Sequence, residues 1–174
     1  VIVFVIAILP TENGRTMHIM RAEVPGPVVG KLVPKIKSTA KILYLIYIAL
    51  TLIEMVLLFC SGMKVFDSIV LSVGTAGTGG FAIMPDGLAS YTAIQQWIIA
   101  IFMMIFGVNF NIYYLIITKK FMNAIKSEEL WVYIGMILVA TGLIAYNTYG
   151  IYCNVGEALR HAFFQVNTVV STTG

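Results

Sequence analysis

Three long apolar stretches, residues 42–60, 97–117 and 130–152, alternate with polar segments along the chain. Each approaches the roughly 20 residues a helix needs to cross about 30 Å of hydrocarbon, so three membrane spans are expected. Residues 1–9 form an apolar run too short to cross, with neither an initiator Met nor the basic lead-in of a signal peptide. They read as the end of a truncated span. The chain stops at Ser171-Thr172-Thr173-Gly174, inside a motif, so both ends look cut.

Between the long stretches lie shorter ones. Residues 65–75 would make a helix of roughly 16 Å, half the membrane, which must dip in and return on the same side. The loop behind it, Ala76-Gly77-Thr78-Gly79-Gly80, is irregular backbone at membrane depth. Such backbone is tolerated only where protein buries it or where it lines a watery path, which implies a pore. The competing reading treats these glycines as close helix packing. Against it, each Gly weakens a spanning helix by about 1 kcal/mol relative to Ala.

The pattern then recurs. Phe66-Asp67-Ser68-Ile69 opens a segment ending in Thr78-Gly79-Gly80, and Gly156-Glu157-Ala158-Leu159 opens one ending in Thr172-Thr173-Gly174. The period is about 90 residues, and the second segment is longer by roughly one helical turn. The chain therefore divides into a span end (1–9), a linker (10–41), one repeat (42–118), a loop (119–129) and an incomplete repeat (130–174). The first repeat comprises helix 42–60, pore helix 65–75, filter 76–81 and helix 92–118. The second comprises helix 130–152, pore helix 157–170 and filter 171–174. The fold class expected is an all-α membrane protein of helix, pore-loop, helix repeats.

Composition agrees: 59% of residues are hydrophobic and 11% charged, against about 25% charged in soluble domains. Orientation follows Lys and Arg in short loops. Arg15, Arg21, Lys31, Lys35, Lys37 and Lys41 mark the linker, and Lys119, Lys120 and Lys126 the second polar segment, as cytoplasmic. The pore-loop segments then face outward. No aromatic or RNA-binding motif accompanies the basic residues, which argues against a nucleic-acid partner. Pro25-Gly26-Pro27 and Pro34 make the linker a connection with turns rather than a domain.

A cation filter needs rings of carbonyl oxygens that replace the ion's water shell. Glycine permits the backbone angles that aim successive carbonyls at one axis, and threonine adds a hydroxyl. Thr78, Gly79, Gly80, Thr172, Thr173 and Gly174 fit that requirement as ion-binding residues, mainly through backbone carbonyls. The C-terminal ends of the two half-helices point partial negative charge at the same place. Asp67 and Glu157, at the opposite ends, read as N-terminal caps rather than ion ligands. Gly87, in the outer loop, is expected to carry no backbone constraint comparable with Gly80.

Glu54 lies inside a span and is open between a hydrogen-bonded structural role and a place near the permeation path. Asn109 and Asn111 read as interhelical hydrogen-bonding groups, with cavity lining second. Trp97, Trp131, Tyr149 and Tyr152 read as interfacial anchors. Cys60 and Cys153 have no metal-binding spacing and read as buried thiols, a disulfide being the alternative. His18 and His161 lack partners spaced for zinc or a catalytic triad, so neither an enzyme nor a cofactor is expected.

At these motifs the chain resembles the TrkH branch of the Trk/Ktr/HKT potassium-transporter superfamily. The resemblance rests on Arg21-Ala22-Glu23-Val24-Pro25-Gly26-Pro27 and on Gly74-Thr75-Ala76-Gly77-Thr78-Gly79-Gly80-Phe81. Val108-Asn109-Phe110, and Arg160-His161-Ala162-Phe163-Phe164-Gln165 leading to Ser171-Thr172-Thr173-Gly174, add to it. It implies four pore-loop repeats in one polypeptide around one pore, of which this chain carries the second, most of the third and the end of the first. Gly80 then resembles the second repeat's filter glycine and Gly174 the third's.

It further implies potassium as transported substrate, a multi-pass bacterial inner-membrane protein contacting lipid, a homodimer, and a cytosolic nucleotide-binding regulatory subunit. The basic segments 31–41 and 119–126 are candidate contacts for that subunit. Two other functions compete. One is the channel-like potassium-binding subunit of an ATP-driven pump, disfavoured by the Arg21–Pro27 motif. The other is a secondary transporter with broken helices, disfavoured because the small-residue loops follow helix C-termini rather than N-termini.

Overall fold

The computed structural model describes residues 36–117, 121–152 and 154–173. The expectations for residues 1–35, Lys119, Lys120, Cys153 and Gly174 lie outside them. The described residues form seven helices: α1 (Ile36–Cys60), α2 (Val65–Ala76), α3 (Ala93–Gly107), α4 (Phe110–Ile117), α5 (Phe121–Ile125), α6 (Glu128–Tyr152) and α7 (Val155–Val170). No strand occurs among the described residues.

The chain divides into two compact units. In one, whose described parts are residues 36–49, 109–117 and 121–127, α4 packs on α5. The other comprises Leu50–Val108 and Glu128–Gly174 and holds both pore loops. At its centre α3 packs against two short helices, α2 of its own repeat and α7 of the next, while α6 packs on α7. Leu58, Met63, Leu71, Ile99 and Met103 form the buried apolar cluster that joins the end of α1 to α2 and α3. Trp97 and Phe163 stack obliquely at 5.3 Å between ring centroids, tying α3 to α7.

Among the described residues two helical segments, Lys41–Cys60 and Glu128–Tyr152, are long and apolar enough to cross a membrane. α6 buries only Ile137 and Thr141 and exposes Val132, Leu138, Val139 and Leu143, which suits a helix surrounded by lipid. Its first turn carries Glu128 and Glu129, favourable at the positive end of the helix dipole.

The third expected span is interrupted. A continuous helix over 92–118 was the expectation, but α3 ends at Gly107, Val108 is extended (φ −71°, ψ 143°), and α4 begins at Phe110. Gly and Asn are poor residues for a helix interior. Asn109 sits at the break, where its carbonyl accepts from the Ile112 amide at 3.0 Å, rather than within a continuous span. Gly107 has a packing reason as well: a Cβ there would collide with the Tyr133 hydroxyl, which donates to the Met104 carbonyl at 3.0 Å and joins α6 to α3. At the other end of α3, Thr92 and Gln95 form a reciprocal capping box.

Candidate functional site

The two short helices set up the site. α2 has 12 residues and α7 has 16, about 18 and 24 Å, so neither reaches across 30 Å of hydrocarbon. Asp67 and Glu157 do not cap them, contrary to the sequence expectation. The N-cap of α2 is Lys64, whose side chain makes no capping bond, and the N-cap of α7 is Asn154, whose side chain accepts from the Gly156 amide. Both acids fall within the first turn, where they complement the helix dipole without closing the end. Asp67 is buried. Burial first, and the Asp67 charge second, push the phenol of nearby Tyr91 above its ordinary range.

Both helices end in the same way. The Thr78 amide donates to the Thr75 carbonyl at 3.2 Å and the Gly79 amide to the Gly74 carbonyl at 2.8 Å. In the next repeat the Thr172 amide donates to Val169 at 3.2 Å and the Thr173 amide to Thr168 at 3.1 Å. This pair of bonds is the Schellman closure, in which the residue just past the cap adopts the left-handed conformation. Glycine ordinarily stands there. Here it is threonine both times, with φ of 49° at Thr78 and 57° at Thr172. The left-handed region costs a residue with a Cβ about 1–2 kcal/mol, and a β-branched residue there is an outlier. The sequence expectation that glycines would supply the unusual angles holds at Gly80 (φ 62°) and is corrected at Thr78 and Thr172.

Closure of the helix ends leaves the following carbonyls free. Among the described residues no hydrogen bond reaches the carbonyls of Thr78, Gly79, Gly80, Thr172 or Thr173. Residues 77–81 are exposed, as is Thr172. Gly79 has a steric reason to lack a side chain, since a Cβ would lie 2.8 Å from the Phe81 ring. In the other loop the matching residue, Thr173, is buried and its hydroxyl bonds to that of Ser171 at 2.7 Å.

A cavity of about 210 Å³ lies where the two loops approach, lined by Gly80 and Phe81 from one, Thr173 from the other, and apolar residues of α2, α3 and α7 such as Leu71, Met103 and Phe164. Thr78, Gly79 and Thr172 do not line it. Glu54 does not line it either: it is fully buried, and neither carboxyl oxygen has a hydrogen-bond partner.

Other expectations change. Cys60 is exposed rather than a buried thiol. Trp97 and Tyr152 are engaged within the protein, Trp97 on Phe163 and Tyr152 stacked on His161 at 4.8 Å between ring centroids. Gly87 has φ 65° and so carries the backbone constraint assigned only to Gly80. Among the described residues no group of three or more His, Cys, Asp or Glu could hold a metal ion. Sequence reasoning missed Ser68, Ser72 and Thr75, which bury one hydroxyl face of α2 by bonding back to the carbonyls of Lys64, Ile69 and Leu71. Their spacing of four and three was the available signal.

Two helices too short to cross the hydrocarbon, each closed by the same strained turn and followed by free carbonyls, define a membrane protein of the pore-loop class. The sequence matches the family model TrkH, described as cation transport protein, over residues 1–136, and the chain belongs to that family. The Trk system potassium uptake protein TrkH of Salmonella typhimurium is 33% identical over the whole of this chain, and that of Escherichia coli 31%. The chain spans 37% of the length of each. The crystal structure of the potassium transporter TrkH from Vibrio parahaemolyticus shares the fold, with a TM-score of 0.68 at 23% identity over 81% of this chain and 31% of that one.

Proposed function

We propose that this chain forms two quadrants of the filter of a potassium-uptake transporter, its ion sites made by the carbonyls of Thr78, Gly79, Gly80, Thr172, Thr173 and Gly174. The observation that carries the reading is the shared helix ending. Threonine occupies a left-handed position in both loops at equal register, 78 and 172, and the carbonyls behind it accept no hydrogen bond among the described residues. Strain of this kind persists at sites whose function requires the geometry. The C-terminal dipoles of α2 and α7 favour a cation at the loops they lead into. Potassium as the ion is supported by the names of the relatives.

The protein acts as a transporter rather than an enzyme, with potassium as substrate and no cofactor. Residues 42–118 are its second repeat and 130–174 the first part of its third. It sits in the bacterial inner membrane as a multi-pass protein, with the Lys-rich segments 31–41 and 119–126 in the cytoplasm. It works as a homodimer with a cytosolic nucleotide-binding regulatory subunit of the Trk system. The test is potassium-limited growth of a strain lacking its own uptake systems, complemented by the full-length protein, with rubidium and sodium uptake measured alongside. Growth with rubidium preferred over sodium supports the reading; uptake without that preference contradicts it.

A further inference from the structure

Glu54 is the buried ionisable group that the loop geometry leaves unused. It is 0% exposed, on the inner face of α1, four residues before Leu58 of the apolar cluster. A buried carboxylate with no partner is strongly disfavoured, and an ionised carboxylate can only accept hydrogen bonds. Leu58 of α1 and Leu71 of α2 belong to one packed cluster. Glu54 stands one turn before Leu58 as Thr75 stands one turn after Leu71, so across the short turn that joins the two helices these side chains fall on facing turns. The Thr75 hydroxyl gives its hydrogen to the Leu71 carbonyl at 2.8 Å and keeps only lone pairs to offer. Glu54 and Thr75 therefore fit one another only when the carboxyl brings the hydrogen, and the carboxyl oxygens have no other partner to take it.

Thr75 is no neutral neighbour. Its own carbonyl receives the Thr78 amide, the bond that closes α2 and sets the left-handed turn into the filter. The adjoining residue, Gly74, receives the Gly79 amide. A group that fixes the rotation of Thr75 thus acts on the turn that aims the Thr78, Gly79 and Gly80 carbonyls. The other hydroxyls of this face, Ser68 and Ser72, are also buried and bond back along the helix. None of them reaches the closing bonds.

We propose that Glu54 is a positioning residue for the second-repeat filter: its carboxyl donates a hydrogen to Thr75 Oγ1, which donates to Leu71, and this two-bond chain holds the helix end that orients the filter carbonyls. The inference rests on the filter reading above. It concerns ion discrimination rather than ion contact, because Glu54 is shut away from the loop surface.

The experiment uses the full-length transporter with four variants: Glu54→Gln, Glu54→Met, Thr75→Val and the Glu54→Met/Thr75→Val double. Rubidium-to-sodium uptake ratios are measured at matched membrane abundance. Gln retains a donor, so its ratio stays within about twofold of wild type, whereas Met, similar in size but with no hydrogen to give, lowers the ratio about fivefold to tenfold. Thr75→Val gives a comparable loss and the double variant is no worse than either, since both remove the same chain. A wild-type ratio in Glu54→Met, a Gln variant as impaired as Met, or an additive double variant overturns the proposal. Should wild type move no potassium, the filter reading fails by itself. The pair is then judged from the same cycle in thermal unfolding of detergent-solubilised protein, where non-additive losses support the bond and additive ones refute it.

Discussion

The loops after α2 and α7 share a backbone and differ in what supports it. Equivalent positions lie 94 residues apart, as Thr78 and Thr172 show, and the closing hydrogen bonds match one for one. Around that common turn almost every support differs. Gly77 and Gly79 of the first loop correspond to Ser171 and Thr173 of the second, where two hydroxyls bonded at 2.7 Å stand in the place of two missing side chains. Val73, exposed on α2, corresponds to Asn167, fully buried on α7 with its amide donating to the Phe163 carbonyl at 2.8 Å. α7 is four residues longer, about one turn. Glycine richness is therefore one way of reaching this turn rather than its cause. What both loops keep is threonine at the left-handed position.

Exchanging supports between the loops tests that distinction most severely. Gly79→Thr, which imports the second loop's residue, should impair uptake strongly in the intact transporter. Its side chain meets the ring of Phe81, which must turn away from the cavity it lines to make room. Adding Phe81→Ala should restore much of the loss; if it restores nothing, Phe81 is not the reason for Gly79. Gly80→Ser should come next, because φ 62° charges any Cβ about 1–2 kcal/mol. That is enough to change rubidium over sodium preference roughly tenfold. The control is Gly142→Ser, whose Cβ would meet nothing within 4 Å, not Gly87→Ser, which carries a positive φ of its own.

Milder effects separate the two helices. Ser171→Ala removes the hydroxyl brace of the second loop and should lower stability by about 1 kcal/mol, with no counterpart in the first loop. Asn154→Ala should cost about 0.5–2 kcal/mol through loss of the α7 cap. Lys64→Ala should leave stability unchanged, since its side chain caps nothing. Thermal unfolding in detergent compares all three. Equal losses for Asn154→Ala and Lys64→Ala would contradict the capping difference.

How much of this was legible in the sequence depends on the kind of force involved. The long apolar runs ending at Cys60 and Tyr152 announce their helices because hydrophobic length is a one-dimensional signal. The half-length helices and the repeat of their loops could be read for the same reason. The break after Gly107 could not be weighed that way: Val108-Asn109 is two residues within an apolar run, and the Tyr133 contact that explains Gly107 is tertiary. The caps at Lys64 and Asn154 were hidden because two acids near the expected helix starts drew the assignment instead. Left-handed threonine was the least legible feature. Propensity assigns that backbone to glycine, so only coordinates could place it on Thr78 and Thr172.

The central claim is that these two threonines are held in the left-handed region for what they do in the filter. Thr78→Gly and Thr172→Gly, each made in the full-length transporter, test it directly, with thermal unfolding in detergent and rubidium over sodium uptake measured on the same preparations. Glycine relieves about 1–2 kcal/mol of backbone strain and returns part of it as chain entropy, so stability should rise by up to about 1 kcal/mol. Discrimination should fall in both variants despite the gain. Unchanged discrimination in both, or a loss at one position only, would show that threonine is incidental there and that the shared turn does not define the filter.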